Sequence, residues 1–210
     1  MNKKLFQHLA VPAGLLVAVA DVSAEYRFTD LGTLGIAIFY SPNSYGRAIN
    51  SSGQLAEYAD ARGSQTPALW NVTVATDLGA PSDRGGLRLA INDAGKIVGW
   101  VKDVTTGSSQ RYRPTVWNGT TPADLSVLRG CDGGGQARAV NNRGQIARYS
   151  LEGGAVATLW DCTLITNPTP EWIPYGGVAG AINDNGQAVG YSTIAIGGGG
   201  SLRYPKRATL

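Results

Sequence analysis

The chain has 210 residues, with 18 Lys and Arg against 15 Asp and Glu, and a single histidine, His8. A balance so close to neutral argues against a nucleic-acid binder, which would show a concentrated basic face. With its one histidine at the extreme N-terminus, the rest of the chain cannot supply Ser-His-Asp or Cys-His catalysis, nor a histidine-ligated zinc.

In chain order, the first element is a targeting segment. Lys3 and Lys4 precede the apolar run Leu9 to Ala20, and Val22-Ser23-Ala24 places small residues where a signal peptidase reads, predicting cleavage after Ala24. The apolar run has 12 residues, short of the roughly 20 that cross a bilayer. No later run could span either, so residues 1–24 are expected to be a signal peptide, and the mature chain, 25–210, to be secreted or periplasmic without a membrane span. Its composition, rich in Gly, Thr and Val and lacking long runs of Glu, Lys, Leu and Ala at helical spacing, predicts one all-β domain.

The mature chain begins with an isolated strand pattern, Tyr26-Arg27-Phe28-Thr29-Asp30-Leu31-Gly32. Then one motif occurs four times: AINSSGQLAEY (48–58), AINDAGKIVGW (90–100), AVNNRGQIARY (139–149) and AINDNGQAVGY (181–191). Successive copies of its Asn, at positions 50, 92, 141 and 183, are 42, 49 and 42 residues apart, a period that suits small antiparallel sheets stacked in an array. In each copy a short apolar run ends in Asn, and two residues and a Gly follow, which predicts a tight turn between strands one and two. A third strand ends in Trp70, Trp117 or Trp160, and Asp77-Leu78-Gly79, Asp124-Leu125-Ser126 and Glu171-Trp172-Ile173 mark the fourth.

Four short strands in about 45 residues is the content of one propeller blade. The expected fold is therefore a β-propeller of four blades of about four antiparallel strands, with units near 46–80, 88–128, 137–175 and 179–210 plus the segment 26–34. The last unit stops at Leu210, one residue short of its Trp, and lacks a fourth strand. If the N-terminal strand completes it, the ring closes, both edges are hidden, and the chain is expected to be a monomer. The alternatives are a fragment of a longer repeat array without independent function, and a β-solenoid.

These residues resemble the HAF family of extracellular repeat proteins, whose unit reads roughly Ala-Ile-Asn-Asp-x-Gly-Gln-Val-Val-Gly-Tyr-Ser, then His-Ala-Phe-Leu-Trp, then Asp-Leu-Gly-Thr-Leu-Gly. The first element matches at Ala181 to Ser192 and the third at Asp30 to Gly35, and the likeness covers nearly all of the mature chain. The middle element departs, with Thr66-Pro67-Ala68, Arg113-Pro114-Thr115 and Ala157-Thr158 where the family has His-Ala-Phe. The resemblance implies secretion and a repeat scaffold without established enzyme chemistry.

Candidate chemistry is sparse. Asn183-Asp184-Asn185-Gly186 faintly resembles the start of a calcium loop, but no bidentate Glu follows, and a hairpin turn is the favoured reading. No metal site, cofactor or catalytic residue is expected. The recurrent tryptophans are read as core between blades, with Trp172 the one more apt to face solvent. Cys131 and Cys162 are an even pair in an exported chain, yet blade topology puts them at opposite ends of a sheet, against a disulfide. Glu57 and Arg148 stand where the other copies carry Gly99 and Gly190, and are expected to be solvated or locally paired. The loop acids Asp83, Asp103 and Asp132 form no recurrent pair suited to glycoside hydrolysis. Asn71-Val72-Thr73 and Asn118-Gly119-Thr120 are glycosylation sequons that also fit turns between strands three and four.

Loop length supplies the directional argument. The turn between strands one and two is constant, whereas the connections between strands two and three and between units vary, and in an up-and-down blade both variable sets emerge at one end. A rigid scaffold with diverse loops on one face is the usual layout of a binding surface. That face would present Tyr40, Arg84, Arg88, Arg111, Tyr112 and Arg203, suited to an acidic glycan or a partner protein. The expected function is a non-catalytic secreted binding scaffold, and the alternative is a polysaccharide lyase or hydrolase using loop carboxylates, Tyr or Arg.

Overall fold

The computed structural model describes residues 28–34, 43–61, 64–79, 86–103, 111–125, 134–151, 155–161, 164–166, 176–193 and 206–209. The expected signal peptide, 1–24, and Tyr40, Asp83, Arg84, Cys131, Asp132, Cys162, Trp172 and Arg203 lie outside them.

Among the described residues every regular element is a strand, and the strands form four small antiparallel sheets in chain order. The first is β1 (Ser44–Ile49), β2 (Gln54–Ala61), β3 (Ser64–Asn71) and β4 (Val74–Asp77). The second is β5 (Gly86–Ile91), β6 (Ile97–Asp103), β7 (Arg111–Asn118) and β8 (Thr121–Asp124). The third is β9 (Gly135–Val140), β10 (Ile146–Leu151), β11 (Ala155–Asp161) and β12 (Leu164–Thr166). Each of these is a meander in which neighbours in sequence are neighbours in space, as the repeat predicts. The fourth sheet has three strands, β13 (Gly177–Ile182), β14 (Ala188–Thr193) and β15 (Lys206–Thr209).

The segment expected to complete that last sheet lies elsewhere. Residues 28–34 form no strand, and Phe28 is fully exposed. Leu31 and Leu34 pack on the first sheet against Ala59, Ala68 and Trp70. Among the described residues no strand covers the outer edge of β15, and no ring is closed.

Strand alternation sends successive side chains to opposite faces, and here those faces are the interfaces between consecutive sheets. In the second strand of each unit, Ala56, Val98 and Ala147 face the following sheet and are completely buried, while Ile97 and Ile146 face the preceding one. Ile97, Ile91, Val101 and Trp117 meet Ala56 and Leu78 between sheets one and two. Ile146, Ala137 and Trp160 meet Val98 between sheets two and three, and Ala179 and Ile182 meet Ala147 between three and four.

The tryptophans are core, as expected. Trp70 and Trp117 are fully buried and Trp160 nearly so. Each of the first two also donates its indole N–H to the segment entering from the preceding side: Trp70 Nε1 to the Leu31 carbonyl at 2.9 Å, Trp117 Nε1 to the Gly79 carbonyl at 3.1 Å. Buried prolines sit beside them without breaking the sheets. The carbonyls of Pro67 and Pro114 accept from Leu78 and Leu125 N–H on the fourth-strand side. A residue's N and C=O point the same way from a strand, so the N–H that proline lacks is missing toward the outer edge, where a strand tolerates it.

Candidate functional site

The two ends of the sheets differ in what their polar groups do. At the constant end, Asn50, Asn92, Asn141 and Asn183 close their turns identically. Each Oδ1 accepts from the backbone N–H four residues on, at 2.8 to 3.0 Å for Gln54, Lys96, Gln145 and Gln187. Gly53, Gly95, Gly144 and Gly186 each donate to the Asn carbonyl with φ of 75°, 76°, 82° and 84°, a left-handed geometry that explains why the third residue after Asn is always Gly.

The Asn amides then leave their own unit. Asn50 Nδ2 donates to the Asn92 carbonyl at 3.2 Å, Asn92 Nδ2 to the Asn141 carbonyl at 2.9 Å, and Asn141 Nδ2 to the Asn183 carbonyl at 2.8 Å. A second ladder runs beside it. The N–H groups of Ser51, Asp93 and Asn142 donate to Oδ1 of Asp93, Asn142 and Asp184 at 2.8, 2.9 and 2.7 Å. Asn142 Nδ2 further donates to Asp93 Oδ2 at 2.9 Å and Asp184 Oδ2 at 3.1 Å. The backbone N–H of Ser51, followed by the other donors, holds the Asp93 carboxyl below its ordinary range. The carboxylates that resemble a calcium loop are thus acceptors for neighbouring turns. Among the described residues no group of three or more His, Cys, Asp and Glu side chains could hold a metal ion.

At the variable end, aromatic and guanidinium groups meet. Tyr45 stacks on Tyr58 with ring centroids 4.9 Å apart and planes at 27°, and the Arg47 guanidinium lies 5.6 Å from the Tyr58 ring centre. Tyr45 is 45% exposed, so one flank of this stack is open to solvent. Trp100 meets Tyr112 edge-on at 4.4 Å, and Arg148 lies 5.3 Å from the Tyr149 ring centre. Burial, opposed by the charge of Arg148, raises the Tyr149 phenol above its ordinary value.

Of the six residues expected on this face, Arg111 and Tyr112 are described: they open β7 and are half-buried. Arg88 lies in β5, with only its backbone described. Tyr40, Arg84 and Arg203 lie outside the described residues. Sequence reasoning assigned no role to the aromatic that ends the motif in every copy, Tyr58, Trp100, Tyr149 and Tyr191, although its recurrence was the available signal. It also passed over Arg47.

Glu57 departs from the expectation of a solvated or paired charge. It is 3% exposed, its Oε1 has no hydrogen-bond partner, and burial alone raises its carboxyl from 4.5 to about 7. Among the described residues no cation pairs with this carboxylate, so it is neither solvated nor locally paired there. A raised carboxyl pKa often marks a general acid, but this group faces no open surface. Because the native state holds this proton more tightly than the unfolded chain, its stabilising contribution is complete below pH 4.5 and disappears as pH rises through about 7. A shift of this size is at most ~3 kcal/mol, and solvent screening brings it to about 2 kcal/mol. Urea unfolding at about pH 5 and about pH 8 should show that loss in the natural protein and not in Glu57→Gln. An equal pH dependence in both would remove Glu57 as its source.

No protein-family model matches the chain, and no curated protein matches it either.

Proposed function

We propose that this protein is a secreted, non-catalytic binding scaffold whose ligand, an acidic glycan, docks at the variable end of the sheets. The observation that carries the reading is the open stack of Tyr45 and Tyr58 beside Arg47, with Arg111 and Tyr112 beginning a strand at the same end. Aromatic faces with adjacent guanidinium groups suit sugar rings bearing carboxylate or sulfate, because stacking and charge act together. The opposite end is unsuited to this, since its polar groups are engaged with one another in the ladders. The finer architecture belongs to the same proposal: the sheets are propeller-like blades, and the likeness to the HAF repeat supports reading them as units of an exported array.

A binding screen of acidic against neutral polysaccharides, with the natural protein and an Arg47→Ala, Arg111→Ala variant, tests this. Binding should prefer acidic polymers, weaken with salt, and fall at least about tenfold in the variant. Unchanged binding by the variant would place the ligand elsewhere, and capture of a protein in preference to any glycan would replace the ligand class.

A further inference from the structure

Three consecutive sheet interfaces repeat one design, and among the described residues the chain carries two unmatched halves of a fourth. In the position that faces the following sheet, Ala56, Val98 and Ala147 are fully buried, whereas Val189 is 45% exposed. In the position that faces the preceding sheet at the end of strand one, Ile91 is 8% exposed, whereas Ile49 is 68% exposed. The ladders end in the same complementary way. The Asn50 and Asn141 amides each make one bond within their turn and one to the next unit, while Asn183 makes the first, to Gln187 Oε1 at 2.9 Å, and lacks the second among the described residues. At the other end, the Asn50 carbonyl accepts from Gly53 within its turn but, among the described residues, not from a preceding unit, as the Asn92, Asn141 and Asn183 carbonyls do.

We infer that the fourth sheet of one molecule docks on the first sheet of a second copy, extending the stack head to tail. The occupant is a second copy because the first strand of its first sheet presents, at Ile49 and the Asn50 carbonyl, the two groups that the internal interfaces use at Ile91 and the Asn92 carbonyl. Ile49 takes the place of Ile91 against Val189, and the Asn50 carbonyl receives the Asn183 amide. Leu31 and Leu34 already cover Ala59, Ala68 and Trp70 on that face, Leu31 seated on Trp70 as Leu78 is seated with Trp117, and they leave Ile49 of β1 open for the partner. Such a contact is heterologous, so it propagates to a ring or a filament, in contrast to the monomer expected of a closed four-blade ring.

One rung is weaker than its internal counterparts. The second residue of the turn is Asp93, Asn142 or Asp184 in the later units, where it accepts from the preceding turn, but Ser51 in the first. A hydroxyl is shorter and uncharged, so the Asp184 N–H of a docked copy meets a poorer acceptor than a carboxylate, which keeps association reversible. Ser51→Asp supplies the missing carboxylate and should tighten self-association about tenfold.

The experiment is sedimentation velocity over a range of concentrations, with circular dichroism to verify folding. Both test positions are exposed in the single chain, so Ile49→Asp and Val189→Asp each blunt one face without disturbing its interior. The natural protein should gain mass with concentration, and each variant alone should remain a monomer. An equimolar mixture of the two should give a dimer, because each retains the face the other needs. A natural protein that stays monomeric, with Val189→Asp lowering its melting temperature, would mean that the two faces close on each other within one chain, and overturns the inference. So would a dimer that survives Ile49→Asp, since it would be symmetric, or a Ser51→Asp variant with unchanged association.

Discussion

Trp117→Ala is expected to cost about 4 kcal/mol of folding stability, the largest effect of any single truncation in the sheets. The indole is fully buried between the first two sheets among Leu78, Leu89, Ile91, Ile97 and Val101, so its removal leaves a cavity that six apolar neighbours, Ala56 included, cannot all collapse to fill. It also leaves the Gly79 carbonyl without the N–H that meets it at 3.1 Å. Trp117→Phe separates the two contributions: it keeps most of the packing and loses the hydrogen bond, and should cost about half as much. Urea unfolding provides the measurement. A loss below about 1 kcal/mol for the alanine variant would mean that the first two sheets are not held by this side chain.

Asn141→Ala is expected to cost about 3 kcal/mol, and Asn183→Ala about 1 kcal/mol, although both remove the same atoms from the same motif. Asn141 is 3% exposed and serves three partners: its Oδ1 accepts from Gln145 N–H, and its Nδ2 reaches both Gln145 Oε1 and the Asn183 carbonyl. Asn183 closes its own turn with Gln187 but, among the described residues, passes nothing onward, and it is exposed. The difference between the two variants therefore isolates the bond between units from the bond within the turn. Equal losses would show that the ladder adds nothing to turn closure. The comparison belongs at low protein concentration, where self-association does not load Asn183.

The turns were legible in the sequence because their determinants are local. A left-handed glycine three residues after an asparagine is a statement about one stretch of chain, and Gly53, Gly95, Gly144 and Gly186 all obey it. The sequons were read correctly as turns for the same reason, with Asn71 and Asn118 ending β3 and β7. The recurrence of Trp70, Trp117 and Trp160 also marked the core, since a large side chain at one position in every unit fills one kind of gap.

What escaped the reading depends on neighbours distant in sequence. The acid at the second turn position was compared with a metal ligand, whereas Asp93 and Asp184 accept from turns 42 residues earlier in the chain. Ser51, at the same turn position, stands in the one unit with no preceding turn to serve among the described residues. Ring closure depends on the angle between sheets, which arises from side-chain volumes such as Ala56 against Ile91 across the first interface and is not written in any single motif. Glu57 could not be recognised as a desolvated carboxylate, because its burial depends on how the first sheet is covered.

The direction of the asparagine ladder bears on how such a chain can change over generations. Every rung asks the following unit for a backbone carbonyl and one short polar side chain, and asks nothing of units farther away. The seven extra residues in the 49-residue step are accommodated without altering the rung. A duplication or deletion of one whole repeat therefore yields another continuous ladder at once, whereas a cut inside a repeat breaks it.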